Sequence, residues 1–170
     1  WEKEISGKNW SLWLDKAATF YYDDIYLPPV NISALPVNPP TCGWDKLHNN
    51  SSLKTVAVPG TVEEHYWGEI GGAVQDTNGN YIGVSWWSKK FPLDASLKGK
   101  RITLAFQSVN MRAEVFVNGK LVGYDVIGNT PFEVNASDAV LFGQDNQLDV
   151  RITDAVGNFT WDDNILMRWG

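Results

Sequence analysis

The stretch Ala113-Glu-Val-Phe-Val-Asn-Gly-Lys-Leu-Val-Gly-Tyr124 constrains the fold more than any other part of this chain. Asn118-Gly119 suits a two-residue type I′ turn, whose central residues both need φ > 0, and apolar residues flank it on each side. That turn pairs Val117 with Lys120, Phe116 with Leu121, Val115 with Val122 and Glu114 with Gly123. Val115 and Val122 then share one face of the hairpin, and Phe116 and Leu121 share the other. Both faces are apolar, so the hairpin is expected to be covered on both sides.

The rest of the body reads as short strands. Ile102, Leu104 and Phe106 alternate with Arg101, Thr103, Ala105 and Gln107, and Leu148, Val150 and Ile152 alternate with Asp149, Arg151 and Thr153. Such alternation predicts one set on a core face and the other toward water. Lys54–Val58, Val84–Phe91 and Phe132–Val134 are weaker strand candidates, and Trp10, Leu12 and Leu14 alternate near the N-terminus. Pro28 to Gly43 is rich in Pro and Asn and predicts an irregular, extended connection. One short helix is expected between a cap at Ser137 or Asp138 and a stop at Gly143. Many short strands with almost no helix imply an all-β, antiparallel sandwich. The expected organisation is one domain over 1–170. Within it, 1–52 form an N-terminal arm and Pro-rich segment, 53–154 the sandwich core, and 155–170 the start of a linker to a following domain.

Composition excludes several functions. A chain of 170 residues with net charge −6 presents no Lys/Arg cluster, so a nucleic-acid partner is not expected. No apolar run reaches membrane-spanning length, so no membrane partner is expected either. Cys42 is the only cysteine, which leaves no intrachain disulfide and no cysteine-based metal site, and the thiol is expected to be inert. The sequence opens on Trp1, which reads as a processed or truncated start whose targeting information is lost. Sequons include those at Asn31, Asn49, Asn50, Asn135 and Asn158, as they readily do in an Asn-rich chain.

The aromatics are more informative, with nine Trp, six Tyr and seven Phe. Large rings serve a core, but an exposed ring can also stack on the C–H face of a sugar. Trp86 and Trp87 must face opposite sides of their strand, so one belongs to the core and the other is a candidate surface platform. Trp161, beside Asp162, Asp163 and Asn164, combines a ring with hydrogen-bonding groups in the manner of a sugar site. Glycoside cleavage needs two carboxylates roughly 5–10 Å apart. Glu63 and Glu64 are adjacent, so their side chains diverge on a strand or a helix, and an exposed acidic turn after Pro59-Gly60 is the simpler account. Asp76-Thr-Asn-Gly-Asn80 fails the calcium-loop pattern and fits a turn at Asn78-Gly79. His48 and His65 lack a zinc-type spacing. No catalytic residue, metal site or cofactor is therefore assigned.

Four pieces, in order, resemble the N-terminal sugar-binding, jelly-roll domain of glycoside hydrolase family 2. Val58-Pro59-Gly60 is similar to that family's "VPG/VPH" segment, and Gly83-Val-Ser-Trp-Trp-Ser-Lys-Lys-Phe91 to its "G-x-x-W-Y-R-R-x-F" strand, with Lys89-Lys90 in place of arginines. Gly99-Lys-Arg-Ile-Thr-Leu-Ala-Phe106 with the Asn118-Gly119 hairpin resembles its "GKRVxLxF…AEVWVNGKxVG". Thr130-Pro-Phe132 with Asn146-Gln-Leu-Asp-Val-Arg151 resembles "TPFxxD…NxLxVRV". The likeness spans Val56 to Asp154 and leaves out Trp1 to Ser52.

The resemblance implies a galactose-binding-like sandwich, followed in the parent chain by a second sandwich and a catalytic (β/α)₈ barrel that holds the two glutamates. The fragment itself would then be non-catalytic. In some family members an acidic residue after the last strand reaches the sugar, and Asp154 or Asp162 is the closest match; together with the ring of Trp161 they are the candidate carbohydrate-binding residues here. The expected partners are a β-linked glycoside and the following domains of the parent. A secreted or periplasmic location is inferred from the type of enzyme. Two rivals stand beside this reading, an autonomous carbohydrate-binding module and a purely structural domain.

Overall fold

The computed structural model describes residues 1–19, 32, 37–67, 69, 81–110 and 112–154, together with the backbone of 159–160 and 166–167. Trp10, Leu12 and Leu14 lie on β1 (Gly7–Asp15), which pairs with β2 (Lys54–Val58) on one side and β3 (Gly83–Leu93) on the other. β4 is Thr103–Phe106, β5 Arg112–Val117, β6 Lys120–Asp125, β7 Phe132–Asn135 and β8 Gln144–Asp154. A six-stranded antiparallel sheet runs β2-β1-β3-β8-β5-β6, and β4 pairs with β7 in a two-stranded sheet. A short antiparallel ribbon joins β9 (Phe159–Thr160) to β10 (Leu166–Met167). The expected all-β, antiparallel sandwich is what the chain forms.

The main core lies between the two larger sheets. Leu12, Trp87, Val115, Val117, Leu148 and Val150 from the large sheet pack with Ile102, Leu104 and Val134 from the small sheet and its approaches. Phe106 and Phe132 stack with ring centroids 4.7 Å apart, closing the small sheet at the register where they pair.

The hairpin forms around Asn118 and Gly119, both at positive φ (51° and 77°). Phe116 faces Leu121 and Val117 faces Lys120 as expected. Beyond them the expected register is corrected: a bulge shifts Val115 onto Gly123 and Glu114 onto Tyr124. The extra residue, Val122, turns into the main core, while Leu121 remains on the opposite face. The hairpin is covered on both sides.

The second correction concerns the polar faces. Asp149, Arg151 and Thr153 do not meet water; all three are buried. The outer face of the large sheet is covered by the described part of the Pro-rich region and by helix α1 (Trp44–Leu47). Leu47 and Trp44 pack there with Val84, Trp86, Phe116 and Leu121, and the Trp44 and Trp86 rings meet edge-on at 5.4 Å. The covering layer reaches three buried acids of the sheet. Asn38 Nδ2 donates to Glu114 Oε1 (2.9 Å), the Thr41 amide and hydroxyl donate to Asp15, and His48 Nε2 meets Asp149 Oδ1 at 2.9 Å. Alternating polarity marks two unlike faces, and here the polar one is paired rather than solvated.

Two smaller expectations also change. The segment from Ser137 to Gly143 forms turns, not a helix. Instead, helix α2 (Val62–Tyr66) follows Pro59-Gly60, opened by a capping box in which Thr61 and Glu64 satisfy each other's backbone N–H. Trp86 and Trp87 do face opposite sides, but both are buried, one under the covering layer and the other in the main core. Neither is a surface platform.

Candidate functional site

Asp154 ends β8, paired with Gly83 at the start of β3. Ile152, two residues earlier on the same face, packs against the main core, so Asp154 points to the core side at the open end of the sandwich. Glu63 reaches the same corner from α2. The capping box leaves Glu64 exposed at the helix start and turns Glu63 inward, where its Oε1 accepts the Tyr81 N–H at 2.7 Å. The two neighbouring glutamates diverge, as adjacent helical residues must, and do not form a facing pair. The carboxyl that feels the Glu63 charge is that of Asp154 on β8.

Tyr81 completes the corner. Its hydroxyl donates to the Val84 carbonyl at 2.9 Å, and its ring lies over Gly83. A Cβ on Gly83, which sits at φ 149°, would stand 2.7 Å from the Tyr81 oxygen, so glycine is required for this approach. Burial, then the nearby Glu63 charge, pushes the Asp154 carboxyl up to about 7. Burial also pushes the Tyr81 phenol far up, reinforced by Asp15, Tyr66 and Asp154, so it stays a neutral donor. With its carboxyl raised to about 7, Asp154 can offer a hydroxyl donor as well as acceptor oxygens, which suits sugar hydroxyls.

An open cleft of about 720 Å³ lies between β1, the covering layer and α2, lined by Trp13, Asp15, Lys54, Tyr66 and Glu69 among others. Its polar groups are turned to one another. Asp15 takes Thr41 and the Trp86 indole N–H, and Lys54 takes the His65 carbonyl and Glu69. Cys42 sits in the covering layer, where burial and then Asp15 push its thiol up, away from the reactive thiolate. Among the described residues no group of three or more His, Cys, Asp or Glu could hold a metal ion. Of the sequence candidates, Asp154 is in the corner; Trp161 and Asp162 lie outside the described residues, as do Asn78-Gly79 and Asp76. The sequence did not place Glu63 and Tyr81 beside Asp154 in this corner. The Thr61-x-x-Glu64 capping signature was the one signal that could have placed Glu63 on a helix.

The family model for "Glycosyl hydrolases family 2, sugar binding domain" matches residues 36–168. The chain belongs to that family. The family 2 domain is 33% identical to a β-galactosidase of Thermoanaerobacter pseudethanolicus over 98 residues, covering 56% of this chain and 12% of that protein. It is 26% identical to a β-glucuronidase of Formosa agariphila over 121 residues, 70% of this chain and again 12% of the relative. Among solved structures, a β-glucuronidase of Lactobacillus rhamnosus aligns over 62% of the chain with TM-score 0.54 and 28% identity, covering 17% of that protein. The β-D-glucuronidase of Dictyoglomus thermophilum aligns over 93% with TM-score 0.56 and 23% identity, covering 20% of it, a likeness of fold. The chain thus spans about an eighth of the curated relatives' length. The match begins at Pro36, so it takes in the covering layer that the sequence resemblance left out.

Proposed function

We propose that this domain is non-catalytic and forms one wall of the sugar site of a larger hydrolase, which cleaves β-glycosidic bonds with retention through a covalent glycosyl-enzyme intermediate. The observation that carries the reading is the placement of Asp154. It is a half-buried carboxyl at the open end of the sandwich, beside Glu63, at the point where the chain leaves β8. Trp161 and Asp162 follow within a few residues and remain proposed members of the same wall. Support for a wall, rather than an autonomous binding module, comes from the burial of both Trp86 and Trp87, the rings offered as a platform. The following sandwich and barrel of the parent are its proposed partners, and export from the cytoplasm its proposed fate.

The test is a titration of this chain with galactose, glucuronic acid, mannose and their β-linked oligomers, followed by tryptophan fluorescence and calorimetry. A wall that works only beside its barrel gives no saturable binding. Binding with Kd below about 1 mM, roughly −4 kcal/mol, would replace this reading with the autonomous module. In the intact hydrolase, Asp154→Asn should raise KM for the preferred glycoside; unchanged kinetics would leave only a structural domain.

A further inference from the structure

β3 and β8 pair along their whole length, from Gly83 with Asp154 at one end to Leu93 with Gln144 at the other. The extended strands separate these two ends by roughly 30 Å. The end far from Asp154 carries an open cleft of about 750 Å³, lined by Trp1, Lys3, Pro92, Asp94, Gln144 and Asp145 among others. Of the described tryptophans only Trp1 and Trp67 are exposed, at 76% and 75%. Trp1 is the one of the two that lines this cleft.

The walls of the cleft are fixed before any ligand arrives. The Gly143 N–H donates to the Leu93 carbonyl at 2.8 Å. Gly143, at φ 72°, also lies so near Ala95 that a Cβ on it would stand 3.3 Å from the alanine Cβ. Asn146, buried at the base of the same loop, accepts the Leu141 N–H and donates to the Leu141 and Gln144 carbonyls. Asp94 accepts the Ser96 N–H at 2.7 Å, which holds its carboxylate in place. Lys3, Gln144 and Asp145 are exposed, and no hydrogen bond or ion pair with a described residue occupies their side chains.

We propose that this cleft is a second carbohydrate site, remote from Asp154, that tethers a neutral β-linked polysaccharide. The Trp1 indole stacks on the C–H face of one sugar unit, and Asp94, Gln144, Asp145 and Lys3 take its hydroxyls. A protein partner fits less well. Stable protein interfaces bury on the order of 1,200 Å² or more around an apolar centre, whereas the exposed apolar lining here is one indole with Pro92 and Ala95. Two acids against one lysine favour a neutral glycan over a uronan. One ring with a few polar arms holds a single sugar unit with Kd above about 1 mM, weaker than an autonomous module. Its effect comes from raising the local concentration of a polymer whose other units reach the hydrolytic site.

The test is an NMR titration of this chain with soluble β-1,4-galactan, β-1,4-mannan and arabinoxylan, and with alginate as the anionic counterpart. At least one neutral polymer should move the Trp1 indole N–H and the Gln144 side-chain amide, and Trp1→Ala should abolish the Gln144 shift. Unmoved signals with all three neutral polymers overturn the proposal, as does a response to alginate alone. A Gln144 shift that survives Trp1→Ala removes the ring from the site. Shifts at Tyr81 and Gly83 with Trp1 unmoved would place binding at the Asp154 corner and overturn a second site. In the intact hydrolase, Trp1→Ala should raise KM severalfold for the responding polymer, with kcat unchanged and p-nitrophenyl β-galactoside kinetics unaffected. An unchanged polymer KM overturns the tether. Asp154→Asn separates the two sites: failure of that variant to alter KM counts against the wall and leaves the Trp1 cleft untouched.

Discussion

Gly123 of β6 lies so close beneath Val134 of β7 that a Cβ on the glycine would stand 2.2 Å from Val134 Cγ1. The bulge that brings Gly123 opposite Val115 creates this contact and joins the hairpin to the small sheet. Gly123→Ala should therefore destabilise the chain by about 1–3 kcal/mol, the usual penalty for overpacking. Val134→Ala should destabilise it as well, by leaving a cavity. The two changes together should cost less than their sum, measured by urea unfolding in a double-mutant cycle. Strict additivity would mean that the two residues do not share that space.

Glu114 is buried between two arginines, with Arg151 Nη1 at 2.7 Å from one carboxylate oxygen and Arg112 Nη2 at 3.0 Å from the other. Asn38 from the covering layer adds a third bond. Glu114→Ala should cost about 3–5 kcal/mol, because it strands buried positive charge. The expected secondary effect is loosening of the covering layer, seen as faster hydrogen exchange at α1 than at β8. Equal exchange rates would show that the layer is held by Leu47 and the aromatic cluster alone.

Trp86 and Trp87 are packed on opposite faces of β3, and each should behave as a core residue. Alanine at either position should cost about 3–5 kcal/mol. Calorimetry of the intact hydrolase with its glycoside, done well below the unfolding temperature, should show affinity unchanged within error. A selective loss of affinity with stability preserved would return the platform role to that ring.

The raised Asp154 carboxyl gives stability a pH dependence with a defined sign. Its ordinary value is 3.8 and its folded value about 7, so between these the folded chain holds a proton that the unfolded chain has released. The contribution is complete below about pH 4 and is lost as pH rises through 7. Allowing for solvent screening at a partly exposed group, it amounts to about 1–2 kcal/mol. Asp154→Asn should flatten this slope in thermal unfolding between pH 4 and 8. A wild-type curve that rises across the same interval, with Asp154→Asn parallel to it, would remove the effect.

Much of the fold was legible because strands announce themselves by period and turns by residue type. Lys54–Val58 is a strand over its whole expected span, and Asn118-Gly119 turns the hairpin as its chemistry requires. What could not be read was what covers each face. Asp149, Arg151 and Thr153 alternate with Leu148, Val150 and Ile152 in a pattern that a solvated face would also produce. Only the contacts from residues 38–48, some 100 positions away, reveal them as a buried polar layer. The same limit applied to the site. Asp154 was marked by its position after the last strand, whereas Glu63 needed a tertiary partner, Tyr81, to show which way it turns. The bulge at Val115 escaped for another reason: both register choices bury apolar side chains, and Gly123 against Val134 decides between them.

The covering layer grips the sheet through side chains that meet Asp15, Glu114 and Asp149, and it takes no part in the strand ladder described. None of these bonds sets the register of one strand against another. Over evolutionary time such a layer can be rebuilt, lengthened or traded while the strands beneath keep their places, provided each of the three acids finds a new donor. Descendants of one ancestral sandwich can thereby acquire different outer coats, and with them different neighbours.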